Sequence, residues 1–185
     1  ANRFAIRLAR ELTRRPKILV FNWCYHGSVD ETFATLRAGS VAAREGNVGP
    51  PVPLDETTRV VEWNDAEALE RELAHGDVAC VLAEPALTNI GIVLAEPGFH
   101  HALRKATRDA GTLLIIDETH TLCAGPGGYT AAYGLEPDIL TVGKAIGGGM
   151  PAAAFGVSAE LAERITASTE ADYEDTGGIG GTLAG

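Results

Sequence analysis

Short apolar runs alternate along this chain with segments whose apolar residues recur every three or four positions, a switch between strand and helix periods. Lys17–Asn22, Val78–Leu82, Leu113–Ile116 and Ile139–Val142 read as strands, and Thr57–Trp63 alternates enough to read as another. Leu113–Ile116 and Ile139–Val142 are unbroken, rich in β-branched residues and bounded by Gly, Pro and Asp. Such strands are covered on both faces and belong to a parallel sheet. Between the strands lie helices. Phe4, Ile6, Leu8 and Leu12, set among Arg3, Arg7, Arg10, Arg14 and Arg15, form an amphipathic helix that Pro16 stops. Asn64-Asp65-Ala66-Glu67 is a capping-box variant opening a helix that runs to His75. Pro97 fits the first turn of a helix running to Asp109, with Phe99, Leu103 and Ala106 as its buried stripe and Gly111 as its break. Ser158 is placed to cap a helix over Ala159–Ala167, while Ala38–Leu54, rich in Gly and Pro and without a period, reads as a long loop. Strand and helix in alternation predict an α/β fold with a mostly parallel central sheet flanked by helices and joined by right-handed crossovers.

The strand ends carry the chemistry. In open α/β sheets ligands bind outside the carboxyl ends of the strands. One strand ends in Asp117, and Lys144 follows the next strand 27 positions later, with Gly147, Gly148 and Gly149 behind it. A lysine that forms a Schiff base, and a carboxylate that partners a pyridinium nitrogen, are what pyridoxal phosphate requires. A plain surface ion pair is the alternative for two such residues. Trp23-Cys24-Tyr25-His26-Gly27 follows the first strand, and Tyr25 is suited to stack on a planar ring or to serve in the core. His26 reads either as a hydrogen-bonded supporting histidine or as a proton carrier. Glu84, in Ala83-Glu84-Pro85 after another strand, is open to orienting a cofactor, receiving an amine or bonding a loop amide.

Taken together, Asp-Glu after Leu-Leu-Ile-Ile, Pro-Asp-Ile-Leu-Thr-Val-Gly-Lys and Ile-Gly-Gly-Gly-Met-Pro resemble the class III aminotransferases of fold type I. Glutamate-1-semialdehyde aminomutases and β-amino-acid transaminases are the nearest subgroups. The resemblance covers nearly the whole chain and implies a large, pyridoxal-phosphate-binding domain. It implies that Lys144 forms the covalent link to the cofactor and later moves the α-proton, and that Asp117 keeps the ring nitrogen protonated. It places Tyr25, His26, Glu84 and Thr119 beside the cofactor, with Tyr25 stacked on the ring. Gly181-Thr182 resembles the family's Gly-Thr, whose threonine binds the phosphate of the neighbouring subunit's cofactor. An ordinary flexible loop is the other reading of that segment. If Thr182 has that role, the active unit is a homodimer. The family's chains are more than twice this length, so residues 1–185 are expected to be a cofactor domain incomplete at both ends, without the small C-terminal domain. Thr119 stands where the family has Val, and His120 and Cys123 also differ from its usual residues. In relatives these positions line the substrate side, so the departures bear on the substrate.

The expected activity is transfer of an amino group from an amino donor to a keto acceptor, a 2-oxo acid. A 2,1-aminomutase, which shifts the amine within one molecule, is the close alternative, and a non-catalytic scaffold the alternative of another class. A Rossmann nucleotide site is disfavoured because no Gly-x-Gly-x-x-Gly follows a strand and opens a helix. Composition narrows the partners. Net charge −10 argues against nucleic acid and anionic membranes. Cys24, Cys80 and Cys123 are too few and scattered for a disulfide framework or a zinc site, and no apolar run approaches a membrane span. A cytoplasmic location with reduced thiols is the expectation.

Overall fold

The computed structural model describes residues 1–49 and 52–169. Among the described residues eight strands and six α-helices follow in chain order: α1 (Asn2–Thr13), β1 (Lys17–Phe21), β2 (Ala34–Arg37), β3 (Ser40–Ala43), α2 (Leu54–Thr57), β4 (Thr58–Val61), α3 (Ala66–Leu73), β5 (Val78–Ala83), α4 (Phe99–Asp109), β6 (Leu113–Asp117), α5 (Gly128–Ala132), β7 (Ile139–Val142), β8 (Ala154–Val157) and α6 (Ala159–Thr169). Six strands form one sheet in the order β4-β1-β5-β6-β7-β8. The first five run parallel, and β8 closes the edge antiparallel to β7. This is the expected mostly parallel sheet.

Successive strand residues point to opposite faces. Every residue of β5 and β6 is buried, so both faces of the central strands are covered. Helix α1 packs across β5, β6 and β7; α3 packs on β4 and α4, and α4 on β6. The stripe of α4 is Phe99, Leu103, Ala106 and Thr107. Phe99 meets Phe21 of β1 and Trp63 edge-on, with ring centroids 4.8–5.7 Å apart. One ionic tie braces a crossover. Arg104 of α4 forks onto Asp138 just before β7, at 2.8 and 2.9 Å, and Asp138 also accepts the Leu114 amide.

Three local expectations change. Ala38–Leu54 is not all loop: its first residues complete a hairpin in which β2 and β3 pair with Arg37 opposite Ser40. Its two-residue turn, Ala38-Gly39, has φ of 50° and 79°. Positive φ at both central residues is the type I′ turn that suits strand twist. Pro97 lies outside α4, which begins after Gly98 at φ 88°. Helix α3 is capped by Asp65 alone, whose side chain accepts the Ala68 amide. Asn64 instead bonds the Glu96 amide and the Leu94 carbonyl. The Ser158 cap is present, with its hydroxyl accepting the Leu161 amide at 3.2 Å.

Candidate active site

Four neighbouring strands deliver the site. β1 leads into Tyr25 and His26, β5 into Glu84, β6 ends in Asp117, and β7 leads through Gly143 into Lys144. Their carboxyl ends open onto one cavity of about 420 Å³ lined by Tyr25, His26, Glu84, Asp117, Thr119, His120 and Lys144, together with Asn2 and Arg3 of α1. Six of the seven sequence-predicted site residues therefore share one cavity, and Thr182 lies outside the described residues.

Asp117 is the most constrained of them. It is 3% exposed and accepts four hydrogen bonds. Asn2 Nδ2 and His26 Nδ1 each lie 2.8 Å from Oδ2; the Thr119 amide and hydroxyl lie 3.0 and 2.6 Å from Oδ1. Burial alone pushes a carboxyl pKa up, but the donated bonds and the His26 charge prevail and hold Asp117 well below the usual carboxylate range. His26 is its counterpart. Burial disfavours the imidazolium, yet the nearby Cys24 and Asp117 outweigh it and raise the ring to about 10. Asp117 is thus a carboxylate, and His26, with a fully buried side chain, is the cation that keeps it so.

Lys144 lies two residues beyond β7 and opens a single 3₁₀ turn, Lys144–Gly147. Its φ of 43° is a left-handed conformation that costs a residue with a Cβ roughly 1–2 kcal/mol. Such strain collects at functional sites. The side chain is exposed, and Nζ stands 5.9 Å from the centroid of the Tyr25 ring. Thr119 packs against Gly143, where a Cβ would come within 3.4 Å of the threonine methyl and hydroxyl. Glu84 is 3% exposed, and both its oxygens are engaged. Oε1 accepts the Tyr25 amide at 3.2 Å, while Oε2 accepts the Thr88 amide and hydroxyl at 3.3 and 2.6 Å. It bonds loop amides, which fixes the backbone of Tyr25.

Two residues escape a reading of the sequence alone. Asn2 supplies a bond to Asp117 from 115 positions away. Glu118, fully buried beside Asp117, accepts the Thr121 hydroxyl and the Tyr129 and Thr130 amides, so it organises the turn into α5. No local pattern marks either partner set.

The donor set fits pyridoxal phosphate. A carboxylate locked as an anion and a lysine amine, the two groups this cofactor calls for, border one cavity together with an aromatic ring able to stack on a planar one. Among the described residues there is no cluster able to hold a metal ion.

The class III aminotransferase model matches residues 1–185. Curated relatives include the glutamate-1-semialdehyde 2,1-aminomutases of Syntrophomonas wolfei, 40% identical over 96% of this chain and 42% of that protein, and of Syntrophus aciditrophicus, 44% identical over 82% and 36%. Among solved structures, a variant of a Pseudomonas aeruginosa glutamate-1-semialdehyde-aminomutase in complex with PMP is 50% identical with a TM-score of 0.93, covering 100% of this chain and 42% of that one. An omega-transaminase from Sphaerobacter thermophilus is 37% identical with a TM-score of 0.76, over 85% of this chain and 38% of that one. The chain spans less than half the length of these relatives. Matched over all its residues, the chain belongs to the class III aminotransferase family.

Proposed function

We propose that this chain is the cofactor-binding part of a pyridoxal-phosphate-dependent enzyme that moves an amino group between an amino donor and a 2-oxo acid. The observation that carries the reading is the Asp117 carboxylate, held by four donors at the end of β6, on the wall of the cavity that also receives Lys144. Asp117 would hold a proton on the ring nitrogen, Tyr25 would cover a ring face, and Lys144 would hold the cofactor covalently. When bound, pyridoxal phosphate supplies an electron sink for the carbon that carries the amine.

The chain's own residues do the rest. His26 keeps Asp117 ionised through the 2.8 Å bond to Oδ2, and Asn2 and Thr119 fix its orientation. Lys144, exposed and bordering the cavity, takes the proton from the substrate carbon on its Nζ and returns it. Glu84 steadies Tyr25 through its backbone amide. The active unit of this reading is a homodimer: Trp23, Ile146 and Met150, exposed and close in sequence to Tyr25 and Lys144, are apolar residues that a second subunit would cover.

A 2,1-aminomutase is the second reading, favoured by the name shared by the curated relatives at 38–44% identity. Steady-state kinetics of the whole protein separate the two. Parallel-line kinetics with exchangeable 2-oxo acids are the expected result for a transaminase; turnover of one substrate without an acceptor gives the mutase. Asp117→Asn is expected to abolish turnover while retaining part of the cofactor, and near-normal turnover in that variant overturns the assignment.

A further inference from the structure

His120 belongs to no step above, yet the fold holds it in place. It lies in the turn after β6 and borders the cavity. Its Nδ1 is 2.5 Å from the Thr88 hydroxyl, which is 2.6 Å from the buried Glu84 Oε2. A hydroxyl has one proton to give. Glu84 is acceptor-only as a carboxylate, so that proton points to Glu84, and the Thr88 oxygen must then accept from His120. Nδ1 therefore carries the ring proton. In the neutral ring this leaves Nε2 as a hydrogen-bond acceptor, and the tautomer is set by the partner on the other nitrogen.

Thr88 is itself held firmly. Its amide bonds Glu84, and the loop that bears it is closed by paired backbone bonds between Leu87 and Val93, at 3.1 and 2.9 Å. The same Glu84 carboxylate holds the Tyr25 amide, so one buried group anchors the Tyr25 backbone and, through Thr88, the histidine on the cavity wall. A side chain needed only to close the turn would not call for a fixed tautomer on an exposed ring.

We infer that His120 is a specificity-determining residue, whose Nε2 accepts a hydrogen bond from an N–H or O–H group that the substrate carries away from its reacting amine. This rests on the cavity being the substrate cavity of the proposed enzyme. The ligand class is thus a short amino or oxo acid with a hydroxyl or amino group along its chain, in preference to its apolar isostere. Removing one such bond is expected to change affinity about 10-fold.

The test is calorimetric titration of the whole cofactor-loaded protein with two unreactive acids of equal length, 4-hydroxybutyrate and pentanoate. Wild type is expected to bind the hydroxyl acid about 10-fold more tightly. In His120→Phe and Thr88→Val that ratio falls to about 1, and in Thr88→Ser, which keeps the hydroxyl, it returns. Thr88→Ser and Thr88→Val carry the test if His120→Phe does not fold. Equal binding by wild type, or a ratio that survives His120→Phe or Thr88→Val, overturns the inference. A missing cofactor band overturns the proposed function and the inference that rests on it, whereas a normal band with equal binding of the two acids overturns the inference alone.

Discussion

Replacing His26 with Phe removes the cation that faces Asp117 while keeping a ring of similar size. Both partners are buried, with side chains 0% and 3% exposed, so water cannot take the place of the lost charge. Removing one member of a buried pair typically costs about 3–5 kcal/mol. Asn2 and Thr119 still give Asp117 three bonds, which puts the expected loss near the lower end, about 3 kcal/mol. The pH dependence is more telling than the size. The His26 pKa is raised to about 10 in the folded protein, so its contribution is full below the unfolded value near 6.5 and is lost as pH rises through about 10. The Asp117 pKa is lowered, so its contribution is full above the unfolded carboxylate value and is lost only as pH falls towards its folded one. The advantage of wild type over His26→Phe should therefore be greatest between about pH 4 and 6.5 and shrink towards pH 10, by at most about 1.4 kcal/mol per pH unit for one proton. Urea unfolding of both proteins across that range, followed by tryptophan fluorescence, measures it. A difference that grows from neutral to alkaline pH, or stays below about 1 kcal/mol throughout, refutes the buried-pair argument.

Gly128→Ala should destabilise the turn into α5 by about 2–4 kcal/mol, because a Cβ there falls 2.8 Å from the Glu118 oxygens at a φ of +76°; a melting temperature within a degree of wild type counts against the role given to Glu118. Among the three cysteines of residues 1–185, only exposed Cys123 should react with a thiol reagent in the native protein. Cys24 and Cys80 are buried, and burial pushes the Cys80 thiol up to about 12. Peptide mass mapping of the labelled protein checks this, and rapid native labelling of Cys80 would contradict the packing described. Tyr25→Ala should weaken the cofactor about 3- to 10-fold by loss of ring contact, read by fluorescence titration with pyridoxal phosphate, and unchanged affinity removes Tyr25 from the cofactor wall.

The sheet was legible because its central strands are unbroken apolar runs with charged or glycine-rich ends. Leu113–Asp117 and Ile139–Val142 can be placed from composition alone, and with them Asp117 and Lys144. The β2–β3 hairpin was not legible. Its turn uses Ala38 at positive φ, where Asn or Asp is the usual signal, and its strands, Ala34–Arg37 and Ser40–Ala43, hold few β-branched or aromatic residues. The donors to Asp117 were hidden for another reason. Asn2 and His26 reach it across 115 and 91 positions, and hydrogen bonds that depend on tertiary approach leave no local periodicity. The same holds for Thr88 and His120, 32 positions apart.

The central claim is that Lys144 and Asp117 form a pyridoxal phosphate site. The most direct measurement is to record the visible spectrum of the whole protein with pyridoxal phosphate, reduce it with borohydride, and locate the pyridoxyl group by peptide mass. A visible band lost on reduction, with the label on Lys144, is the predicted result; no band, or a label on another lysine, contradicts it.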